Sequence, residues 1–298
     1  MSRSKISIAA FLAAAAVAGA ASAQPAAPAP GAPPAAPALG PTTIKEVKPG
    51  LFMVVGNGGN VTVRVGDDEL IMVDTKNPGA PVFAALMDQI KTVTSHPIKY
   101  VFITHVHADH SGNTGLAEAA GATVIADDGE KALLAKSPAA NRPADPSVTF
   151  DKTYAVKLKG AAATAYHFAP GHTGGDALVF FPDEHVLSSG DEVSQVPNID
   201  YPNGGSALGL VKSLAEADKL DFDTVIPGHG EEPLTRAQFE AYRKKWDTLV
   251  ERARALVKAG VAKQDLLSKL KLDDLWPINN PQWNNPARVD AFYAEMSK

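Results

Sequence analysis

The sequence predicts an α/β fold of the α+β type, a layered domain followed by a helical C-terminal extension. From Thr42 onward, short β-branched runs alternate with segments of helical spacing, and after Thr235 only helical patterns follow. The chain has 298 residues, 45% of them apolar, which is enough to bury a large core. We therefore expect mixed sheets covered by helices.

The first half of the domain combines a meander with an α/β alternation. Three apolar runs are separated by Gly, Asn and Asp turn signals, which predicts antiparallel neighbours. Val82, Leu86 and Ile90 then recur at helical spacing, with Pro81 in the first turn. The predicted strands are Leu51–Val55, Val61–Val65, Leu70–Val73, Tyr100–Thr104 and Thr123–Ala126, and the predicted helices are Gly79–Thr94, Ser111–Ala120 and Asp127–Lys136.

The second half repeats the alternation and then becomes helical. Thr235 and Gln238 form a capping-box pattern, which predicts the start of a long helix. The predicted strands are Tyr154–Leu158, Ala163–Phe168, Ala177–Phe181, His185–Ser189 and Thr224–Pro227, and the predicted helices are Leu208–Leu220, Arg236–Ala259, Lys263–Leu270 and Pro286–Met296. We place the layered domain at residues 42–235 and the helical extension, packed on it, at residues 236–298.

The first 41 residues are predicted to precede the folded domain. Arg3 and Lys5 come before an uncharged apolar run, and Ala21-Ser22-Ala23 then offers a cleavage site, so residues 1–23 are predicted to be a signal peptide. Residues 24–41 contain seven prolines and no charge, which predicts an extended Pro/Ala-rich linker. We expect a periplasmic protein without a membrane anchor once the signal is cleaved.

The composition excludes several classes of function. The sequence contains no Cys and therefore no disulfide framework, no thiolate metal ligand and no nucleophilic thiol. The net charge is −5 and the pI is about 5.9, so the basic surface of a nucleic-acid binder is absent. We expect a small-molecule substrate and no nucleic-acid partner.

One short segment carries four side chains of metal-ligand type. The sequence T-H-V-H-A-D-H at 104–110 lies at the end of a predicted strand. Alternate residues of an extended segment face the same side, so His105 and His107 can point at one ion. Asp109 and His110 follow where the chain turns into a helix, and they point toward a second ion.

Three further potential ligands lie in Gly-rich loops, each shortly after an apolar run: His172, Asp191 and His229. Glycine beside each of them permits tight turns and close backbone approach, which helps to aim the side chains into one cleft. The histidines for which we expect only a structural part are His96, His167 and His185.

In order, spacing and strand-end context, these residues resemble the metallo-β-lactamase superfamily of αββα metallohydrolases. The resemblance covers about Lys48 to Glu231, includes Asp74 at the end of a predicted strand, and implies a four-layer αββα fold. It implies one zinc ion bound by His105, His107 and His172, a second bound by Asp109, His110 and His229, and Asp191 bridging both. Nitrogen and oxygen ligands without thiolate independently suit two Zn²⁺ ions, and they also suit iron or manganese.

The implied chemistry is hydrolysis by a metal-bridging hydroxide. Two zinc ions roughly 3.5–4 Å apart can share a water and lower its pKa toward about 7. Asp109 is then expected to orient the attacking water besides binding metal. We expect Asp74 to fix a histidine or the metal loop from behind, unless it is an ordinary turn residue at the end of its strand.

The substrate is constrained by the ligand set and by export. The lack of Cys excludes the lactamase subclass with a cysteine ligand. The resemblance also implies that the lactamase subclass with H-x-H-x-D-H usually lacks the bridging aspartate, whereas this chain keeps Asp191, as glyoxalase II-like thioesterases, lactonases and many broad esterases of the superfamily do. Export of the protein favours antibiotics, lactones and other small esters as substrates. We expect a small cyclic amide or ester, with a β-lactam as the first candidate and a lactonase, esterase or thioesterase activity as the alternative.

Two hypotheses from other classes stay open. An iron-dependent sulfur oxidoreductase on the same scaffold predicts bound iron and oxygen consumption. A non-catalytic zinc-binding module predicts stoichiometric metal without hydrolysis. The complete set of seven ligands argues against the second hypothesis, because non-catalytic binding relatives usually lose ligands.

A substrate rim is predicted from two loops. The first is Gly56–Asn60, in which Asn57 and Asn60 carry polar side chains. The second is Glu192–Ser206, in which Tyr201 could stack on a substrate or simply pack. The tryptophans of the extension are expected to anchor its core.

Overall fold

The computed structural model describes residues 39–136, 143–194, 198–276 and 283–298. The predicted signal peptide and the linker up to residue 38 lie outside the described residues. Within the described ranges, none of the helices combines the length and the apolar character that crossing a bilayer requires.

The first sheet follows the order of the sequence. Its first four strands are antiparallel neighbours, which confirms the predicted meander, and its last four run parallel. The edge strand β1 was not predicted because its sequence TIKEVK mixes charged and apolar residues at a half-exposed position. The strands are β1 Thr43–Lys48, β2 Leu51–Val55, β3 Val61–Val65, β4 Leu70–Val73, β5 Ile98–Phe102, β6 Thr123–Asp127 and β7 Val148–Phe150.

The second sheet has the order β13-β12-β11-β10-β9-β8. Its neighbours are antiparallel except for β11 and β12, which run parallel. The strands are β8 Thr153–Leu158, β9 Ala161–Tyr166, β10 Leu178–Phe181, β11 Val186–Ser188, β12 Thr224–Ile226 and β13 Leu234–Thr235. The parallel pair matters for the site, because the ends of both strands reach the same edge of the sheet.

Helices cover the outer face of each sheet. The long helix α6 begins at the predicted capping box, in which Thr235 and Gln238 bond reciprocally. The helices are α1 Ala80–Lys91, α2 Ala108–Ser111, α3 Thr114–Ala119, α4 Asp128–Leu134, α5 Ala207–Ala217, α6 Arg236–Lys258, α7 Leu266–Leu270 and α8 Pro286–Met296.

Three apolar clusters define four layers. Side chains alternate along the buried strands, so that Met53 faces the second sheet whereas Val54 faces the first helical layer. The middle cluster lies between the two sheets, where Phe102 packs in the same cluster as Phe181. Helices α5 to α8 cover the far face of the second sheet, where all three tryptophans are buried. The fold is the four-layer αββα arrangement with a helical C-terminal extension.

Two predicted boundaries near the His-rich segment were wrong. Strand β5 ends at Phe102 rather than Thr104, because the N–H of Thr104 leaves the ladder and donates to the carboxylate of Asp74 at 2.8 Å. The predicted helix Ser111–Ala120 is broken into α2 and α3. Asn113 interrupts it, because its side-chain amide donates to backbone carbonyls of the loop after β4.

Candidate metal centre

The candidate ligands reach one edge of the molecule through segments that follow strands. The segment after β5 carries His105 to His110, the loop after β9 carries His172, and the short turn after β11 carries Asp191. His229 follows the parallel neighbour β12. The structure brings all seven predicted ligands together in two groups.

The first group contains His105, His107, His172 and Asp191, whose candidate ligand atoms lie within 4.8 Å of one another. The Nδ1 atom of His107 is 3.2 Å from Nε2 of His105 and 3.0 Å from Nε2 of His172. Three imidazole nitrogens therefore converge on one point, which is the arrangement that a metal ion requires.

The second group contains Asp109, His110 and His229. The Nε2 atoms of the two histidines are 3.3 Å apart, and Nε2 of His229 is 3.2 Å from the carboxylate of Asp109. Helix α2 begins between the two groups, so Asp109 and His110 turn away from His105 and His107 as the sequence predicts.

Asp191 lies between the two groups. Its Oδ2 atom is 3.6 Å from Nε2 of His172, and its Oδ1 atom is 3.4 Å from Nε2 of His110 and 3.5 Å from Nε2 of His229. The buried Oδ1 has no hydrogen-bond partner among the described residues. A buried carboxylate oxygen without a partner is costly unless a cation neutralises it.

The donor set fits divalent metal ions. Imidazole nitrogens and carboxylate oxygens converge without a thiolate, and the buried Asp191 oxygen aims at the same space. The outer nitrogens of four histidines are meanwhile held by other groups, which leaves their inward nitrogens facing the shared space. Both observations concern the chain's own atoms and support a metal centre at this edge.

Thr104 and Asp74 hold the outer nitrogens of two of these histidines. Nδ1 of His105 is 3.0 Å from the hydroxyl of Thr104, which itself donates to Asp74. Nδ1 of His110 is 2.7 Å from the carboxylate of Asp74. Asp74 thus orients His110 directly and His105 through a hydroxyl. These contacts agree with the expectation that Asp74 fixes a histidine from behind, rather than being an ordinary turn residue.

Two other outer contacts come from residues that sequence reasoning missed. Nε2 of His107 is 2.8 Å from the carboxylate of Asp200, and Nδ1 of His172 is 2.7 Å from the backbone carbonyl of Asn198. Asp200 stands 93 residues after His107, in a loop without a recognisable motif. The only available signal was an Asp close to a Pro-Asn-Gly-Gly turn sequence.

The charges favour metal binding. Burial would raise the pKa of Asp191, but the neighbouring His110 outweighs burial and holds that pKa well below its usual range. Burial lowers the pKa of His105 well below its usual value, and His110 and His172 add to the shift. An ionised Asp191 and a neutral His105 are the protonation states that metal ligands need. Burial would lower the pKa of His110, but the carboxylates of Asp191 and Asp74 outweigh burial and raise that pKa well above its usual value, so a metal ion bound there would displace the proton of His110.

Asp200 is also ionised. Burial alone would raise its pKa, but the hydrogen bonds from His107 and Asn203 outweigh burial and lower the pKa to about 2. The carboxylate therefore stays an acceptor for the N–H of His107 throughout the neutral range.

The centre opens to solvent on one side. The side chains of His107, Asp109 and His229 are 28%, 32% and 41% exposed, whereas those of His105, His110 and His172 are buried. The two groups are therefore accessible to solvent from the side of the three exposed residues.

The three predicted rim side chains have internal partners. The amide of Asn57 donates to Gly40 and Thr42, and the buried amide of Asn60 donates to the carbonyls of Pro227 and Gly230. The hydroxyl of Tyr201 donates to Glu295 at 2.9 Å. These contacts favour a part in holding the loops in place.

The other three histidines join neither group. Their Nδ1 atoms lie within hydrogen-bond distance of the backbone carbonyls of Gly66, Asp176 and Asp221. The structural part predicted for His96, His167 and His185 agrees with these contacts.

Fold and site together define an αββα protein with a clustered His/Asp metal-binding centre. Residues 54–229 match the family model described as the metallo-beta-lactamase superfamily, and the chain belongs to that superfamily. Most members of that superfamily are hydrolases.

Three relatives illustrate the range of the family. The chain is 26% identical over 268 residues to the 2,4-dinitroanisole O-demethylase subunit alpha of Nocardioides sp. (strain JS1661), covering 85% of this chain and 77% of that one. It is 33% identical over 138 residues to the hydroxyacylglutathione hydrolase of Hyphomonas neptunium, covering 46% and 48%. The structure of a metallo-beta-lactamase from Pontibacter korlensis matches with a TM-score of 0.61 and 18% identity, covering 69% of this chain and 99% of that one.

Proposed function

We propose that the protein is a periplasmic dinuclear zinc hydrolase that acts on a small cyclic amide or ester, with a β-lactam as the first candidate. The observation that carries the proposal is the position of Asp191, whose two carboxylate oxygens face different ligand groups. A single-metal or structural site does not need a carboxylate in this place, because a structural site closes around one ion with four ligands.

Each group would hold one zinc ion. His105, His107 and His172 would bind the first, Asp109, His110 and His229 the second, and Asp191 both. Zinc bound there supplies Lewis acidity, which lowers the pKa of a water ligand and polarises the carbonyl of a substrate. The chain itself supplies neither a Cys nucleophile nor, among these seven residues, a Ser nucleophile.

Asp109 has a second part in the proposal. Its carboxylate is one-third exposed on the open side of the centre and lies 3.2 Å from Nε2 of His229. It can accept a hydrogen bond from the attacking water and so orient that water toward the substrate. The buried Asp191 and His105 cannot reach a substrate in this way, because neither faces the open side.

Export and composition support the substrate class. Export by the predicted signal peptide would bring the protein into contact with antibiotics and small esters, and the acidic net charge argues against a nucleic-acid substrate. Because the chain has no Cys, the proposed reaction depends on nitrogen and oxygen ligands alone.

Thioester hydrolysis is the second candidate. The 33% identical relative is a hydroxyacylglutathione hydrolase, and that similarity spans about half of each chain. The same ligand set would serve a thioester, because the carbonyl is polarised in the same manner. Substrate trials should therefore include a thioester from the start.

The test is a panel of three chromogenic substrates: a cephalosporin, an activated ester or lactone, and a thioester. The purified, zinc-loaded protein should hydrolyse at least one of them, and a chelator should abolish the activity until zinc is returned. Cephalosporin turnover supports the β-lactam proposal, and turnover of the thioester alone supports the second candidate. Bound iron with oxygen consumption, or two bound zinc ions without any hydrolysis, would overturn the proposal.

A further inference from the structure

The segment 198–206, between Asp191 and helix α5, is bonded along the whole loop that carries His172. The N–H of Asp200 donates to the carbonyl of His172, that of Gly174 to the carbonyl of Asn203, and that of Ser206 to the carbonyl of Gly171, each at 2.8 Å. Three backbone hydrogen bonds therefore fix the segment 198–206 against this ligand loop.

The same segment supplies the outer partners of two candidate ligands. The carboxylate of Asp200 contacts His107 at 2.8 Å, and the carbonyl of Asn198 contacts His172 at 2.7 Å. The amide of Asn203 donates to the same Oδ2 atom of Asp200 at 2.7 Å, which fixes the direction of the carboxylate. Asp200 is largely buried, which limits the competition of water for these bonds.

The other side of the segment is held by the C-terminal helix. The carboxylate of Glu295 in α8 accepts hydrogen bonds from the hydroxyls of Tyr201 and Ser206 and from the N–H groups of Ala207 and Leu208. It thereby satisfies two free N–H groups at the start of α5 as well as the segment itself. Arg288, also in α8, donates to the side chain of Asn198.

We propose that Asp200 is a positioning residue for His107 and that Glu295 of α8 holds Asp200 in place, which makes the C-terminal helix a working part of the metal centre. The inference rests on the proposed metal-binding function. An outer hydrogen bond fixes the tautomer and direction of a ligand imidazole and raises its basicity, so its loss weakens metal binding. Glu295 contacts no candidate ligand and acts through the segment 198–206 and the start of α5.

The first experiment measures zinc affinity by competition with a chromophoric chelator, together with the visible spectrum of the cobalt(II)-substituted protein. Asp200→Ala should weaken binding at one of the two sites about 10- to 100-fold and change the cobalt spectrum. Asp200→Asn keeps an acceptor but loses the charge, so its effect should be intermediate. Glu295→Ala should weaken the same site by about 2- to 30-fold.

The matched control is Asp290→Asn on the same helix. Asp290 pairs with Lys263 at 2.9 Å on the surface, where both side chains are about half exposed. This variant should match the wild type in affinity and spectrum. All measurements are made at a temperature well below the thermal unfolding midpoint of each metal-free variant. Each variant is then folded, so a lower zinc affinity reports a change at the metal centre and not a general loss of stability.

The double variant Asp200→Ala/Glu295→Ala tests the route. If Glu295 acts through Asp200, the double variant should bind zinc no more weakly than Asp200→Ala alone. Multiplied losses would overturn this route, and wild-type affinity and spectrum in Asp200→Ala would overturn the inference as a whole. A wild-type protein that binds no metal would overturn the proposed function instead, so the two failures are distinguishable.

Discussion

The side-chain nitrogen of Lys76 donates a hydrogen bond to the carbonyl oxygen of Gly59 at 2.8 Å. Lys76 is fully buried, and its second bond, at 2.7 Å, goes to the carbonyl of Val54. Gly59 in turn lies so close to the ring of His110 that a Cβ there would come 2.1 Å from Cε1. A buried lysine in the loop after β4 thus fixes the backbone that packs on a candidate metal ligand.

Gly59→Ala tests this close approach. The added methyl group must displace either the loop or the His110 ring, which Asp74 holds from the other side. We expect the affinity of one zinc site to fall about tenfold or more, measured by competition with a chelator. Gly40→Ala is the control, because a Cβ there meets only the Asn57 side chain at 3.7 Å. Equal affinities in the two variants would contradict the prediction.

Comparing the stability of Lys76→Met with that of the wild type at several pH values should show that the buried Lys76 amine is neutral in the fold. Burial lowers the pKa of Lys76 from 10.5 to about 7, although Asp74 opposes the shift. A neutral amine has two N–H donors, which match the two carbonyls. Between pH 7 and 10.5 the Lys76 amine is protonated in the unfolded chain and neutral in the folded protein. The free energy of unfolding of the wild type should therefore rise with pH relative to that of the Lys76→Met variant. The slope should be at most about 1.4 kcal/mol per pH unit.

Urea unfolding of the chelator-treated proteins at several pH values measures this difference. Lys91→Met, at an exposed position of α1, is the matched control and should follow the wild type at each pH. A stability difference between Lys76→Met and the wild type that is constant from pH 7 to 10 would show that Lys76 keeps its proton in the fold.

Glu130→Met should stabilise the protein. Glu130 is fully buried in α4, and neither carboxylate oxygen has a hydrogen-bond partner among the described residues. Burial raises its pKa well above 4.5, with Asp176 and Asp74 adding to the shift, so the folded protein holds the carboxyl protonated. Removing this unpartnered polar group should add about 1–3 kcal/mol to the free energy of unfolding.

The gain at Glu130 should grow as pH rises above about 4.5, since Glu130 then ionises in the unfolded chain while it stays protonated in the fold. Urea unfolding at pH 5 and pH 7 compares the two conditions. Glu251→Met, at an exposed position of α6, should change stability by less than about 0.5 kcal/mol. A lower free energy of unfolding in Glu130→Met would contradict the prediction and would mean that the Glu130 carboxyl stabilises the fold.

Asp191→Ala should remove the link between the ligand groups. The side chain faces His110 and His229 with one oxygen and His172 with the other. We expect the variant to retain at most one zinc ion and to lose most of the turnover of whichever substrate the wild type hydrolyses. Metal analysis and a kinetic assay on the same sample measure both effects. Full activity with a single metal ion would refute the bridged mechanism.

The fold was predictable where local pattern and burial agree. The meander β2 to β4 has the predicted boundaries, because its strands are buried apolar runs between strong turn signals. The short strands β7 and β13 and the charged edge strand β1 were not predicted. Each is defined by its pairing partner, and a sequence pattern does not contain the partner.

The centre was predictable at its ligands and not at their supports. His105 to His110 form a dense motif of ligand types, whereas Asp200 resembles any loop aspartate until the fold places it on His107. Glu295 is one of the two carboxylates on α8, and its sequence context does not distinguish it from Asp290. Contacts across about 90 residues come from tertiary packing, which neither periodicity nor turn chemistry encodes.

The metal content of the purified wild-type protein tests the central claim most directly. After equilibration with excess zinc and removal of free metal, we expect two zinc ions per chain by elemental analysis, because the structure offers two ligand groups joined by Asp191. A protein that retains no zinc, or that saturates with one ion while Asp109, His110 and His229 are intact, would contradict the dinuclear zinc centre.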